Sequence, residues 1–323
     1  MVQVYIFKLI FVTIFIKMER KVSVSKIAEF KGHVGNIYGL YCSPISKKVY
    51  TGATDGYVVE WDLQKPDEGR LICRLKEPIY SIFLFEPKQQ LWIGLASGNI
   101  HVVDLITKEE LKNLEIHKLG VFDLKLNEKK IYAAGGDGSI SMIDANTFEL
   151  LGLKKIAQKS VRCLSFNEKE GILAAGTSDH SIVLLSNNLE ILKTKITAHK
   201  NSVFSLTFTS DGQYLLSGGR DAYLNVWRIN IAENSLELVQ DIPAHNLHIH
   251  HISVQKEGSY FITCSMDKSI KIWALADFEL LKVVDKARNE SHVNSVNKIA
   301  WISELEFVSI SDDKKMIYWK LKS

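Results

Sequence analysis

The sequence predicts an all-β fold, a closed ring of seven four-stranded antiparallel sheets. Three observations carry this prediction. Along the 323 residues an Asp and a Trp, or their replacements, recur six positions apart. In most units a His stands 20 to 22 residues ahead of that Asp. Between these markers apolar and polar residues alternate with period two, as they do in strands with one buried face. A unit repeated along a chain in this way implies a repeat architecture.

Composition agrees with one large all-β or repeat domain and excludes some function classes. Hydrophobic residues make up 46% of the chain, ample for a core. The net charge is +3, and it falls to +1 without the two positive charges of Lys8 and Lys17. That balance gives no basis for a clustered basic face, so no nucleic acid partner is expected. The four cysteines (Cys42, Cys73, Cys163 and Cys264) are scattered, with no CxxC pair. Free thiols in a reducing compartment follow, and a cytoplasmic location is expected. Five prolines and the absence of any low-complexity tract argue against a disordered linker.

Residues 1–17, MVQVYIFKLIFVTIFIK, are unlike the rest. Lys8 interrupts the apolar run, which is too short for a membrane span of about 20 residues. No positive side chain precedes it and no A-x-A follows it, so it lacks the marks of a secretory signal. Three readings stand side by side: a mis-called start with Met18 as the initiator, a membrane-associating or poorly processed export segment, and an added strand. Residues 18–323 are expected to form the single repeat domain.

Aligned on the turn Asp, the units fall at positions 55, 97, 137, 179, 221, 267 and 313, with Ser97 replacing Asp in the second. The spacing of 40 to 46 residues suits four short strands with their turns. The preceding marker is Gly32-His33, His117, Ala198-His199, Ala244-His245 or Ser291-His292; units two and four carry Lys76-Glu-Pro78 and Ala157-Gln158 instead. In unit one, strands are expected at Ile37–Cys42, Val49–Gly52, Tyr57–Trp61 and Arg70–Leu75. In unit five, they are expected at Val203–Phe208, Tyr214–Ser217, Ala222–Trp227 and Leu236–Gln240, with Ser210-Asp-Gly212 as a turn. No sustained helical period appears, so no α domain is expected. The last unit has no fourth strand after Trp319, whereas residues 21–30 form a strand with no unit before it. The N-terminal strand, about 22–30, is therefore expected to complete the last sheet and close the ring.

These motifs resemble the WD-repeat (Trp-Asp) β-propeller family over roughly residues 22–321. Gly32-His33 and its variants, the turn Asp, Trp61-Asp62, Trp227, Trp273 and Trp319 carry the resemblance. It implies a seven-bladed β-propeller that acts as a non-catalytic scaffold in multiprotein assemblies.

Four residues before the turn Asp stands a hydroxyl in four units: Thr51, Ser217, Thr263 and Ser309. The same four units hold both the His and the Trp. Four buried chains are expected: His33, Thr51, Asp55 and Trp61; His199, Ser217, Asp221 and Trp227; His245, Thr263, Asp267 and Trp273; and His292, Ser309, Asp313 and Trp319. Each member satisfies another, as a buried polar network must. In units three and four, Ala133 or Ala175 takes the hydroxyl position and Ile143 or Leu185 the Trp position, so there the chain is expected to be dropped. Ser217, His199 and Asp221 have the residue types of a hydrolase triad, but a set that occurs four times is structural. His245, His248, His250 and His251 lie close in sequence without a clear carboxylate or Cys partner, so no metal is assigned. Gly135-Gly136 and Gly218-Gly219 approach turns and are not phosphate loops. No cofactor is expected.

Function is expected where the innermost strands meet the mouth of the axial channel. The position after the Val or Ile that opens each of these strands reads Tyr38, Tyr80, Phe122, Arg162, Phe204, His250 and Asn297. Aromatics with Arg are typical binding anchors. The residue before the turn Asp lies near the same face in the family (Thr54, Ala96, Gly136, Ser178, Arg220, Met266 and Asp312), and Arg220 and Asp312 add charge there. A peptide or protein loop is expected to dock, stacking on the aromatics and giving a carboxylate to an Arg; the competing expectation is that the aromatics only plug the channel. Two further readings remain: an enzyme or small-ligand propeller with its site in the mouth, and an adaptor tethered to a membrane by residues 1–17. A monomeric fold within a larger complex is expected.

Overall fold

A computed structural model describes residues 22–195, 197–230, 232–233 and 235–322 of the chain. The segment 1–17 and the alternative start at Met18 lie outside the described residues. The described strands form seven antiparallel sheets of four. The innermost strands are Ile37–Cys42, Ile79–Phe85, Val121–Asn127, Val161–Asn167, Val203–Phe208, Ile249–Val254 and Val296–Ser303. Six of the sheets then run outward in chain order.

The seventh sheet closes the ring. Its outermost strand is Ser23–Lys31, which pairs with Lys315–Lys322 from Ser23 opposite Lys322 to Lys31 opposite Lys315. Glu29 ties the two strands further, with its carboxylate 2.8 Å from Lys315 Nζ and 3.2 Å from Lys31 Nζ.

The core does not sit on the axis. It is divided among seven apolar layers, each drawn from two adjoining sheets. Phe30 of the closing strand, for example, meets Trp61 of the first sheet edge-on at 5.7 Å. Neighbouring sheets approach closely because small residues stand at the contact. A Cβ on Gly218 would come within 2.6 Å of Ile249 Cγ2, and one on Gly52 within 2.5 Å of Ile79 Cγ2.

The strands differ in extent from the sequence expectation. In blade five the third strand runs Tyr223–Asn230 and the fourth Ser235–Pro243. Ala222 is left in the turn with φ +69°, where an L-residue costs about 1–2 kcal/mol. Among the described residues, helix is confined to Lys286–Asn289, capped by the Asp285 carboxylate, and a 3-10 turn at Glu86–Lys88. No helix among them is long and apolar enough to cross a membrane.

Candidate functional site at the channel mouth

Two sets of polar and aromatic residues must be told apart. The first lies inside the blades. In blade one, Trp61 Nε1 donates to Thr51 Oγ1 at 2.7 Å, and Thr51 meets His33 Nε2 at 2.8 Å. The other ring nitrogen, His33 Nδ1, lies 3.1 Å from Asp55 Oδ2. Indole N–H can only donate, so the hydroxyl accepts from Trp61 and gives its own proton to Nε2. That fixes the proton of the neutral ring on Nδ1, aimed at the carboxylate. The same connections recur in blade five through His199, Ser217, Asp221 and Trp227. Blade six makes them with His245, Thr263, Asp267 and Trp273, and blade seven with His292, Ser309, Asp313 and Trp319.

Electrostatics match this neutral-ring, ionised-carboxylate arrangement. Burial pushes His33 and His245 below the ordinary imidazole value, against the pull of their carboxylates. Burial alone would raise Asp55, but N–H groups of Tyr57 and Val34 and the His33 ring hold it below the usual range. Ser217 has the contacts of a triad serine but not its access. It is fully buried, and the indole of Trp227 donates to its Oγ.

The degenerate blades correct one sequence expectation. Blade three does not drop its polar chain; it rebuilds it one strand outward. Ala133 pairs across the ladder with Ser141, and Ser141 Oγ takes the hydroxyl's place 2.9 Å from His117 Nε2. Ser139 joins His117 Nδ1 and Asp137, whose carboxyl falls to about 2: the Ser139 and Lys118 donors overcome the rise that burial alone would cause. In blade two the carboxylate has changed sides, since Glu77 accepts from the backbone N–H of Ser97 at 3.0 Å. Blade four keeps Asp179 as an acceptor for the backbone N–H groups of Gln158 and Lys159, without a His.

The second set arises from one backbone device repeated in every blade. Each innermost strand shifts register between its first and third residues, as at Ile37/Gly39, Val161/Cys163 and Val296/Lys298. The residue between is left out of the ladder, and a bulge of this kind re-aims its side chain. Those seven residues are Tyr38, Tyr80, Phe122, Arg162, Phe204, His250 and Asn297, and all seven line one cavity of about 410 Å³.

Contacts run around this ring from blade to blade. Tyr38 meets Tyr80 edge-on at 5.9 Å, and Tyr80 stacks on Phe122 at 5.4 Å. The Arg162 guanidinium lies 3.9 Å from the centre of the Phe122 ring and 5.0 Å from that of Phe204. Phe204 reaches His250 at 6.0 Å, and His250 Nδ1 donates to Val296 O at 3.2 Å. Asn297 then donates to Ile37 O at 2.9 Å and Asp312 at 2.7 Å, completing the circuit.

Arg220 and Asp312 are placed differently from the seven. Asp312 supports Asn297 from behind, while Arg220 is exposed outside the lining. Burial, and after it the charge of Arg220, lower the neighbouring His248. His248 packs on Phe204 at 5.9 Å and stands 6.3 Å from His250. Among the described residues no group of three or more His, Cys, Asp and Glu could hold a metal.

Lys298 also lines the cavity, and strand alternation alone does not reveal it. Two consecutive residues of one strand should face opposite ways, but the bulge at Val296/Lys298 breaks that alternation. Burial pushes its amine below the ordinary lysine value, opposed by the charge of Asp123.

The fold and its fastening define a closed propeller in which the blade networks are internal and the residues that differ from blade to blade gather, partly buried, at the channel mouth. Three of its repeats match the WD-repeat family, in keeping with the seven-bladed ring. The family model described as WD domain, G-beta repeat, matches residues 24–62, 190–228 and 236–274. Each match begins in or beside the outer strand of one blade and ends on the Trp-bearing strand of the next, so the sequence repeat straddles two sheets. The transcription factor unc-37 of Caenorhabditis elegans is 24% identical over 283 residues, covering 71% of this chain and 45% of that protein. A striatin homolog of Dictyostelium discoideum is 20% identical over 77% of this chain and 35% of its own. Human WD repeat-containing protein 75 is 25% identical over 80% of this chain and 34% of its own. The matched region is less than half the length of each relative.

Proposed function

We propose that this propeller is a rigid, non-catalytic platform that binds a peptide or protein loop at the channel mouth. One observation carries the reading: all seven bulge residues, four of them aromatic and one an Arg, surround a single cavity of about 410 Å³. A plug would leave no such space, and this volume lies within the range of about 300–1,000 Å³ common to ligand sites. Aromatic anchors and Arg carry much of the binding energy in protein interfaces. The kinship with WD-repeat proteins supports the platform class. The interior Ser217, His199 and Asp221 belong to the fastening, and the mouth is a docking surface. A cytoplasmic location belongs to this proposal.

The test is capture of partners from native extract with wild-type protein beside a Tyr38→Ala/Phe204→Ala/Arg162→Ala variant. The expected result is loss of a specific partner with no change in melting temperature. Retention of every partner by a folded variant would reject the mouth as the docking site.

A further inference from the structure

The chemistry of the cavity points to the sign of what enters it. Arg162 is partly buried with its guanidinium over Phe122 on one side and Phe204 on the other. A partner's Lys or Arg would want those same ring faces for cation–π contact. Arg162 already occupies them, and Tyr80 stacks on Phe122 as well. The ring is therefore poorly suited to a second cation.

Stacking leaves the N–H donors of the guanidinium unused, because they lie in its plane. Among the described residues no carboxylate lies within 4 Å of Arg162 and no acceptor bonds it. The same holds for Lys298, the second cation lining the cavity. The acids nearby are committed elsewhere: Asp123 accepts from Leu164 N at 3.0 Å and lies 3.7 Å from Lys125, and Asp312 holds Asn297. Two cations with no carboxylate in contact, in one partly enclosed cavity, is a costly arrangement unless an anion arrives. The exposed cation of Arg220 stands just outside, on the side of His248.

We infer that the mouth is a carboxylate receptor: an Asp or Glu side chain, or a C-terminal carboxylate, of the bound segment enters the cavity and is held by Arg162 and Lys298. This rests on the platform reading above and adds the chemistry of the partner. Arg162 gives directed, paired N–H donors, and Lys298 gives a point charge. The aromatic ring flanks the chain on either side of the acid.

Three capped pentapeptides test it, acetyl-Gly-Leu-Glu-Leu-Gly-amide and its Gln and Lys counterparts, with acetyl-Gly-Leu-Gly as free acid and sodium phosphate as further probes. Binding to the full chain is followed by NMR through the Nε–Hε signal of Arg162. The Glu peptide should bind about tenfold or more tightly than the Gln peptide, the margin of one charge-assisted hydrogen bond. Comparison with the free acid tells which carboxylate source fits. Arg162→Gln and Lys298→Met should each erase the Glu-over-Gln preference. Where Arg162→Gln fails to fold, Lys298→Met and the wild-type signal decide.

Equal binding of the Glu and Gln peptides, tighter binding of the Lys peptide, or an equal effect from phosphate alone would overturn the inference. Loss of partner capture in the triple variant together with equal Glu and Gln binding would leave the platform standing and sink the carboxylate. A clear Glu preference with capture unaffected would do the reverse.

Discussion

A single hydroxyl decides whether each blade fastener is complete. Thr263 Oγ1 accepts from Trp273 and meets His245 Nε2, so its loss strands two buried polar groups at once. Thr263→Val keeps the shape and removes only that oxygen. Leaving a buried group unsatisfied costs about 1–3 kcal/mol, so a fall in unfolding free energy of that order is expected, read as a lower urea midpoint with little change in slope. Ser141→Ala in blade three should cost a similar amount, although its blade lacks both the hydroxyl of Ala133's position and the Trp. A negligible effect there would mean that the contact of Ser141 with His117 carries no stability. The four complete networks were legible in the sequence because their members keep fixed spacing. The rebuilt one was not, since it depends on which residue lies across the ladder from Ala133, and a spacing count along one strand does not see its neighbour.

At the scale of strands, the bulge of the innermost strand does most to shape the mouth. The seven positions it turns toward the cavity were readable from sequence, because each follows a Val or Ile that opens the strand. Lys298 was not, because the disruption that aims Asn297 also brings its neighbour into the lining. The turn residue Arg220, expected beside the mouth, is exposed and lies outside the cavity lining. The closing strand offers a sharper test of element packing. Phe30 is 1% exposed and wedged against Trp61 of the next blade. Phe30→Ala should therefore cost about 3–5 kcal/mol, as large-to-small changes in a packed core do. Measured by urea unfolding, a loss below about 1 kcal/mol would show that this contact does not hold the closure.

Three blades share one pH dependence, and through them it acts on the whole ring. His33, His117 and His245 are all pushed below the imidazole value of 6.5 by burial, so the folded state binds fewer protons than the unfolded chain as pH falls. Stability from these groups is fully present above 6.5 and is lost as pH drops toward their folded values. Each can contribute at most about 1.4 kcal/mol of loss one pH unit below 6.5. The melting temperature should then be lower at pH 5.5 than at pH 7.5; an unchanged or higher value would mean the histidines are charged in the folded state. The lowered carboxylates act in the same direction, but only below 3.8. Blade number and ring closure were the most legible features of all. A period repeated through the chain averages out local noise, whereas exact strand ends depend on ladders that no single unit encodes.

Closure has a temporal side. Ser23 pairs with Lys322, so the final sheet joins segments about as far apart in sequence as the domain allows. The entropy of joining such distant ends rises only slowly with length, about 0.6 kcal/mol per doubling. The delay is set by synthesis, which adds roughly 5–20 residues per second. Throughout that interval the nascent chain carries Ser23–Lys31 as a strand without its partner, with Phe30 on it. A cell making this protein must shelter one apolar edge from the time this strand is made until the last blade emerges.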